Sequence, residues 1–197
     1  YMFPFIETIR IEDRRIHNLS YHNKRMNETR REVLLQAGLL DLADYIQPDT
    51  FRERTKCRVE YADDILKVEY AAYHLRPVSS LRLVVCDDAD YSYKSTDREL
   101  LDRLFALRKT QDDVLIVRKG LLTDTSICNI ALWDGAQWVT PAMPLLAGTK
   151  RASLLDRGEI VREDIRPDDL ARYSRIRLFN AMIEFGEIEF SVDKIVL

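Results

Sequence analysis

Between Val114 and Leu155 the chain alternates short apolar runs with turn residues, a pattern that leaves little choice but a sheet feeding a helix. Val114-Leu115-Ile116-Val117 is a β-branched run that turns at Lys119-Gly120. Ile127 to Trp133 and Gln137 to Thr140 are two further runs, separated by Asp134-Gly135. Asp-Gly between alternating apolar runs is a strong hairpin signal. Pro141 and Pro144 interrupt the strand pattern, and Gly148-Thr149-Lys150-Arg151 opens a helix expected to run to about Asp156. The first backbone N–H groups of a helix lack partners within it and point outward, which suits a phosphate. The carboxylate of Asp124, in Leu122-Thr123-Asp124-Thr125-Ser126, is therefore expected near an anion-binding helix end.

The rest of the chain supplies a second pattern. Phe3 to Ile11 alternates as a strand, Asp13-Arg14-Arg15 makes a turn, and a short strand surrounds Ile16. Asn18 or Ser20 is expected to cap a helix through about Ala37, closed by Gly38. His22 and Arg25, three apart, share one face near its start. Leu39 to Ile46 reads as a second, shorter helix ended before Pro48. From Lys56 the period becomes two, through Cys57–Tyr61, Leu66–Tyr73 and Leu81–Cys86, and is read as an antiparallel meander. A helix from Arg98 to Leu107 follows, with Leu100, Leu101, Leu104 and Leu107 on its apolar face. Strands are expected at Ile160–Ile165, Ile176–Phe179 and Ile188–Leu197, with a capped helical turn at Pro167–Leu170. Pro77-Val-Ser-Ser80 is the candidate junction, dividing a small α+β region, 1–78, from a larger one, 79–197. The fold class expected is α+β, with two subdomains of mostly antiparallel sheet and packed helices.

Composition narrows the functional classes. A formal charge of −3 offers no basic surface for nucleic acid or membrane. No apolar stretch approaches the roughly 20 residues of a membrane span, and the first residues lack the basic-then-apolar pattern of a signal peptide. Cys57, Cys86 and Cys128 lie in apolar strand-like runs without metal-type spacing. They read as reduced core residues of a cytoplasmic protein, and no metal site is expected.

Singly, the polar candidates carry little. A loop lysine such as Lys94 is usually solvated, an aspartate between threonines such as Asp124 is usually a turn residue, and Arg25 on a helix is usually a surface charge. His22 more often packs or caps than acts as a base, and Asn180 at a strand end more often forms a turn. In combination and order they resemble the fold type IV family of pyridoxal-phosphate enzymes, which contains branched-chain and D-amino-acid aminotransferases and 4-amino-4-deoxychorismate lyase. The resemblance spans nearly the whole chain. It rests on Phe5-Ile-Glu-Thr-Ile-Arg10, His22-x-x-Arg25, Lys94-Ser-Thr-Asp-Arg98 and Thr123-Asp124-Thr-Ser-x-x-Asn129. Thr140-Pro141 with Leu146-Ala-Gly-Thr-Lys-Arg151, and Phe179-Asn-Ala-Met182, complete it.

The resemblance implies a D-amino-acid aminotransferase-like fold and the cofactor pyridoxal 5'-phosphate, held covalently on Lys94. It gives Asp124 the ring nitrogen, where the family usually has glutamate; the shorter side chain needs either a closer turn or an intervening water. It gives the phosphate to Arg25, gripping with a bidentate fork, to the backbone N–H groups of Thr149 and Lys150, and to the loop Asn180-Ala181-Met182. Better-known members have Pro-Gly where this chain has Ala147-Gly148. Thr8, Arg10 and Arg98 are implied in binding an amino-acid-like substrate; Arg76 is a weaker candidate. Tyr91 and Tyr93 could reach the cofactor's phenolic oxygen but are read as packing residues. A homodimer is implied as well.

Within the family, Thr8-x-Arg10 resembles the first strand of the lyase, and Asn180-Ala-Met-Ile183 resembles the lyase loop more than the Gly-Thr-Ala-Ala of the transaminases. The expected activity is therefore cleavage of 4-amino-4-deoxychorismate to 4-aminobenzoate and pyruvate. A class IV aminotransferase acting on branched-chain or D-amino acids is the alternative. A cofactor- or phosphate-binding homologue without turnover is kept as a reading of another class, because the chain is short and starts directly in the strand Phe3–Arg10.

Overall fold

The computed structural model describes residues 3–197, which fall into two compact units. The first runs to Leu75 and takes back Tyr93–Asp97; the second comprises Arg76–Ser92 and Arg98–Leu197.

In the first unit, β1 (Phe5–Glu12), β2 (Arg15–Ile16), β3 (Thr55–Tyr61) and β4 (Ile65–Ala72) form an antiparallel sheet in the order β2-β1-β3-β4. The helix α1 (Leu19–Val33) packs on β1. β3 shows why period two was legible: Thr55, Cys57, Val59 and Tyr61 are buried, while Lys56, Arg58 and Glu60 between them are not. These side chains, with Phe5, Ile9, Ile11, Met26, Leu42 and Ile46, make the core of this unit. On α1 the buried positions are His22, Met26, Thr29 and Arg30, the spacing of one helical face.

Two local expectations are corrected here. The first helix ends at Val33 rather than near Ala37, because Leu35 turns left-handed (φ 56°) and the Gln36 N–H bonds back to the Arg30 carbonyl at 3.0 Å. Its N-cap is Asn18, itself left-handed at φ 54°, without a side-chain capping bond. The second helix expected over Leu39–Ile46 is reduced to a 3-10 turn, Leu42–Asp44, capped by the Asp41 carboxylate. Asn27 bonds both the N–H and the carbonyl of Leu40, and Asn23 Oδ1 accepts from the Leu42 N–H, so side chains of α1 take main-chain groups a longer helix would need.

The second unit holds two sheets. β5 (Leu81–Val85) leads through α2 (Glu99–Ala106) to β6 (Asp113–Arg118), which pairs with β5 in parallel. This corrects the meander: Leu81 onward is a β-α-β unit in a separate sheet. β6 is buried from Asp113 to Val117, and its unbroken apolar run Val114–Val117 is that of a strand covered on both faces. β7 (Leu121–Leu122) closes one edge. β8 (Asn129–Trp133) and β9 (Trp138–Pro141) form the hairpin around Asp134-Gly135. After α3 (Thr149–Asp156), β10 (Val161–Glu163) pairs with β9 in parallel. β11 (Arg175–Asn180) and β12 (Ile183–Ser191) complete the sheet β10-β9-β8-β11-β12. β13 (Ile195–Val196) returns beside β5. Ala131, Leu154, Ile160 and Phe179 pack α3 against the hairpin sheet. The α+β class holds, with mixed as well as antiparallel sheets. No helix among the described residues is long and apolar enough to cross a membrane.

Candidate active site

The predicted residues gather in two clusters, one in each unit. In the first, β1 turns Phe5, Glu7, Ile9 and Ile11 toward α1, so a carboxylate stands in an otherwise apolar row. Glu7 is 0% exposed. Both its oxygens are occupied: Arg25 donates from Nε to Oε1 and from Nη2 to Oε2, each at 2.7 Å, and His22 Nδ1 lies 2.6 Å from Oε2. Burial pushes the Glu7 carboxyl up, but the Arg25 charge and the bonds from His22 and Arg25 outweigh it and bring it to about 2. His22 is held below its ordinary value, by burial first; Glu7 opposes this, and the charges of Arg25 and Lys94 reinforce it. The ring is thus neutral at pH 7, with its proton on Nδ1 facing the ionised acid.

Lys94 belongs to the same unit. Its carbonyl accepts from the Ile6 N–H at 2.9 Å, Ser95 bridges to Phe5, and Thr96 bonds the Pro4 carbonyl through both N–H and hydroxyl. The lysine segment is therefore laid along β1, the strand that carries Glu7. Thr8 is half-buried on the other face of that strand, and Arg10 is ion-paired with Glu12. The Tyr93 hydroxyl donates to Glu32 at 3.2 Å, and its ring meets the edge of Phe5, as a packing residue would.

In the second unit, Thr123 to Ser126 are all buried although all are polar. Asp124, 5% exposed, accepts from Asn129 Nδ2 on Oδ1 at 2.8 Å and from the Leu146 N–H on Oδ2 at 2.9 Å. Burial nevertheless pushes it up to about 6; the N–H groups of Leu146 and Leu145, the Asn129 amide and the charge of Arg151 offset only part of that cost. Asn129 Nδ2 also bonds the Leu146 carbonyl at 2.9 Å, so the turn entering α3 is built around Asp124.

α3 starts at Thr149 with Gly148 as its N-cap and no side-chain cap. The buried Thr149 hydroxyl has no hydrogen-bond partner among the described residues. Lys150 Nζ reaches Glu184 at 2.9 Å, which leaves its part at the helix end to the main chain. Asn180 forms the β11–β12 turn, its Oδ1 accepting from the N–H groups of Met182 and Ile183 and its Nδ2 donating to the Ile127 carbonyl at 3.1 Å; Ala181 follows at the tip, half-buried. Arg98 donates to the Ser126 carbonyl at 2.9 Å, Arg76 pairs with Asp113 at 2.8 Å, and Tyr91 is buried in the core beside α2.

Pyridoxal phosphate needs an amine, an anion opposite its ring nitrogen and donors for a dianionic phosphate. The donor set fits the group: a desolvated carboxylate supported by neutral amides, and a buried hydroxyl without a partner among the described residues, beside first-turn N–H groups that a helix cannot pair within itself. Glu7 and Asn129 hold the predicted residues in these clusters, contacts that the chain alone did not reveal. Glu7 had a signal, an acid interrupting the inward row Phe5, Ile9, Ile11; Asn129 had only its place at the end of the Asp124 turn. Among the described residues no group of three or more His, Cys, Asp or Glu is arranged to hold a metal ion.

Comparison with known proteins places these features. Residues 58–189 match the amino-transferase class IV family. An uncharacterised protein of Haemophilus influenzae is 34% identical over 185 residues, covering 92% of this chain and 98% of that one. A crystal structure from Haemophilus somnus, provisionally named a 4-amino-4-deoxychorismate lyase, is 37% identical and superposes with a TM-score of 0.86, covering 92% of this chain and 97% of that one. A hypothetical aminotransferase of Mycobacterium tuberculosis in its PLP-bound form shares the fold, with a TM-score of 0.76 at 16% identity over 94% of this chain and 80% of that one.

Proposed function

Because the chain belongs to the class IV aminotransferase family, an enzyme family that depends on pyridoxal phosphate, we propose that it binds this cofactor and acts as a 4-amino-4-deoxychorismate lyase. The observation that supports the cofactor assignment is that one unit holds both a buried Asp124 carboxylate and, at the start of α3, a buried Thr149 hydroxyl without a partner among the described residues. Within the family, the lyase is supported by Thr8-x-Arg10 and Asn180-Ala-Met182, and by likeness across 97% of the Haemophilus somnus chain that bears that name.

When bound, pyridoxal phosphate supplies an aromatic ring that takes up the electron pair left on the substrate's amine-bearing carbon. Lys94 would hold the cofactor through its amine, and the same amine is the group that would take the proton from that carbon. Asp124 would keep a proton on the ring nitrogen, because its buried anionic form costs least with a cation beside it. By the family resemblance, Arg25 in the first unit and, in the second, the N–H groups of Thr149 and Lys150 with the Asn180-Ala181 turn are each proposed to donate to the phosphate. Thr8, Arg10 and Arg98 orient the substrate and bind its carboxylates. The contacts of Arg10 with Glu12 and of Arg98 with Ser126 use some of the five donors each guanidinium carries. The active form is proposed to be a cytoplasmic homodimer acting on a small amino-acid-like substrate.

The deciding experiment is pyruvate release from 4-amino-4-deoxychorismate by purified, cofactor-loaded protein. Release that is lost in Lys94→Ala supports the lyase. No pyruvate, together with ready conversion of the cofactor to pyridoxamine phosphate by amino acids, assigns an aminotransferase. A colourless protein that borohydride does not label on Lys94 overturns the cofactor assignment itself.

A further inference from the structure

The inward row of β1 is apolar except at Glu7, and a carboxylate without exposure is costly unless it is paired. A leucine there, facing apolar residues on α1, would make an ordinary core. The chain instead places an acid opposite two residues of the helix and gives both its oxygens to them.

We propose that Glu7 is a positioning residue for the cofactor phosphate: it clamps the Nε–Nη2 edge of Arg25 and the Nδ1 of His22, so that the guanidinium plane is set before any ligand arrives. This rests on the assignment of Arg25 to the phosphate. An arginine bound along its Nε–Nη2 edge can form a second fork only through Nη1 and Nη2, and the bidentate acid fixes where that edge points. His22, donating from Nδ1 to Glu7, presents Nε2 as an acceptor rather than as a second cation. The same strand sets the lysine, since the Ile6 N–H, one residue before Glu7, holds the Lys94 carbonyl at 2.9 Å. One segment of β1 thus registers both the arginine and the main chain of the lysine. Preorganising a fork removes ordering cost from binding, and the gain falls on ligands that carry the phosphate.

The test compares pyridoxal 5'-phosphate with pyridoxal, which lacks the phosphate, by absorbance titration of the apoprotein. Glu7→Gln keeps the size of the side chain but removes one acceptor and the charge. The expected result is a loss of tenfold or more in affinity for pyridoxal phosphate and less than twofold for pyridoxal. Glu7→Asp, which keeps the charge on a shorter stem, should recover part of the difference. In an Arg25→Met background Glu7→Gln should add little, because the two act as one unit. Equal weakening for both ligands, or full additivity with Arg25→Met, would make Glu7 a structural residue only and overturn the proposal. If Glu7→Gln does not fold, the Glu7→Asp ratio decides alone: a ratio equal to wild type overturns it. If wild-type protein takes up neither compound and Lys94 is not labelled by borohydride, the cofactor assignment fails first. Uptake with an unchanged ratio in both variants removes only the role of Glu7.

Discussion

A β-carbon at position 148 would lie 2.2 Å from Oδ1 of Asn129. Gly148 has a φ of −71°, open to any residue, so the requirement is space rather than backbone freedom. The Asn129 amide that fills the space holds Asp124 Oδ1 and the Leu146 carbonyl. Gly148→Ala must displace it and strand buried polar groups, each worth about 1–3 kcal/mol. Urea denaturation should show a loss of that order, and titration at least a tenfold loss of affinity for pyridoxal phosphate.

The two buried acids give opposite pH signatures. Asp124, pushed up to about 6 from an ordinary 3.8, holds its proton more tightly folded than unfolded. Its contribution is full below about pH 4 and is lost as pH rises to about 6. Glu7, at about 2 against an ordinary 4.5, contributes above 4.5 and loses that contribution as pH falls toward 2. Each shift corresponds to about 3 kcal/mol. His22, held low, adds a rise in stability up to its ordinary 6.5, so each acid is read as a difference from wild type. Denaturation midpoints of the apoprotein between pH 3 and 7 should lose the fall above pH 4 in Asp124→Asn. In Glu7→Gln they should lose the drop below 4.5.

What the chain declared in advance was what local chemistry decides. The Asp134-Gly135 hairpin and the start of α3 behind Gly148 were legible because turn and helix-start residues act over a few positions. The parallel pairing of β5 and β6 was not, although Val114–Val117 carried its mark, an apolar run without alternation. The helix expected at Leu39–Ile46 failed for a tertiary reason: Asn23 and Asn27, more than a dozen residues earlier, take its main-chain groups. Among the site residues, Lys94, Arg25 and Asp124 were named by order and resemblance. What occupies them was hidden, because Glu7 meets Arg25 only when β1 and α1 pack.

The cysteines should react in an order set by burial. Cys57 and Cys128 are buried, and burial pushes both thiols up to about 12, which leaves almost no thiolate at neutral pH. Cys86 lies just past β5, half-buried, with its thiol directed to Asp88 at 3.4 Å. Its thiol is also raised, by burial first and then by that contact, so it should label slowly. Native protein should take up one equivalent of iodoacetamide, lost in Cys86→Ser, and unfolded protein three. Modification of Cys128 in the native state would mean that the turn from Thr125 to Asn129 opens.

The sharpest separation of stability from binding is expected at Thr149. Its hydroxyl is buried without a partner among the described residues, a state that costs about 1–3 kcal/mol until a ligand supplies an acceptor. Thr149→Val keeps the shape and removes the orphan, so the apoprotein should gain about 1 kcal/mol in urea denaturation. If the phosphate is bound at the start of α3 as proposed, pyridoxal phosphate should bind several-fold more weakly and pyridoxal unchanged. A site kept only for packing would show the gain in stability without the loss in affinity. A hydroxyl satisfied by bound water would show neither.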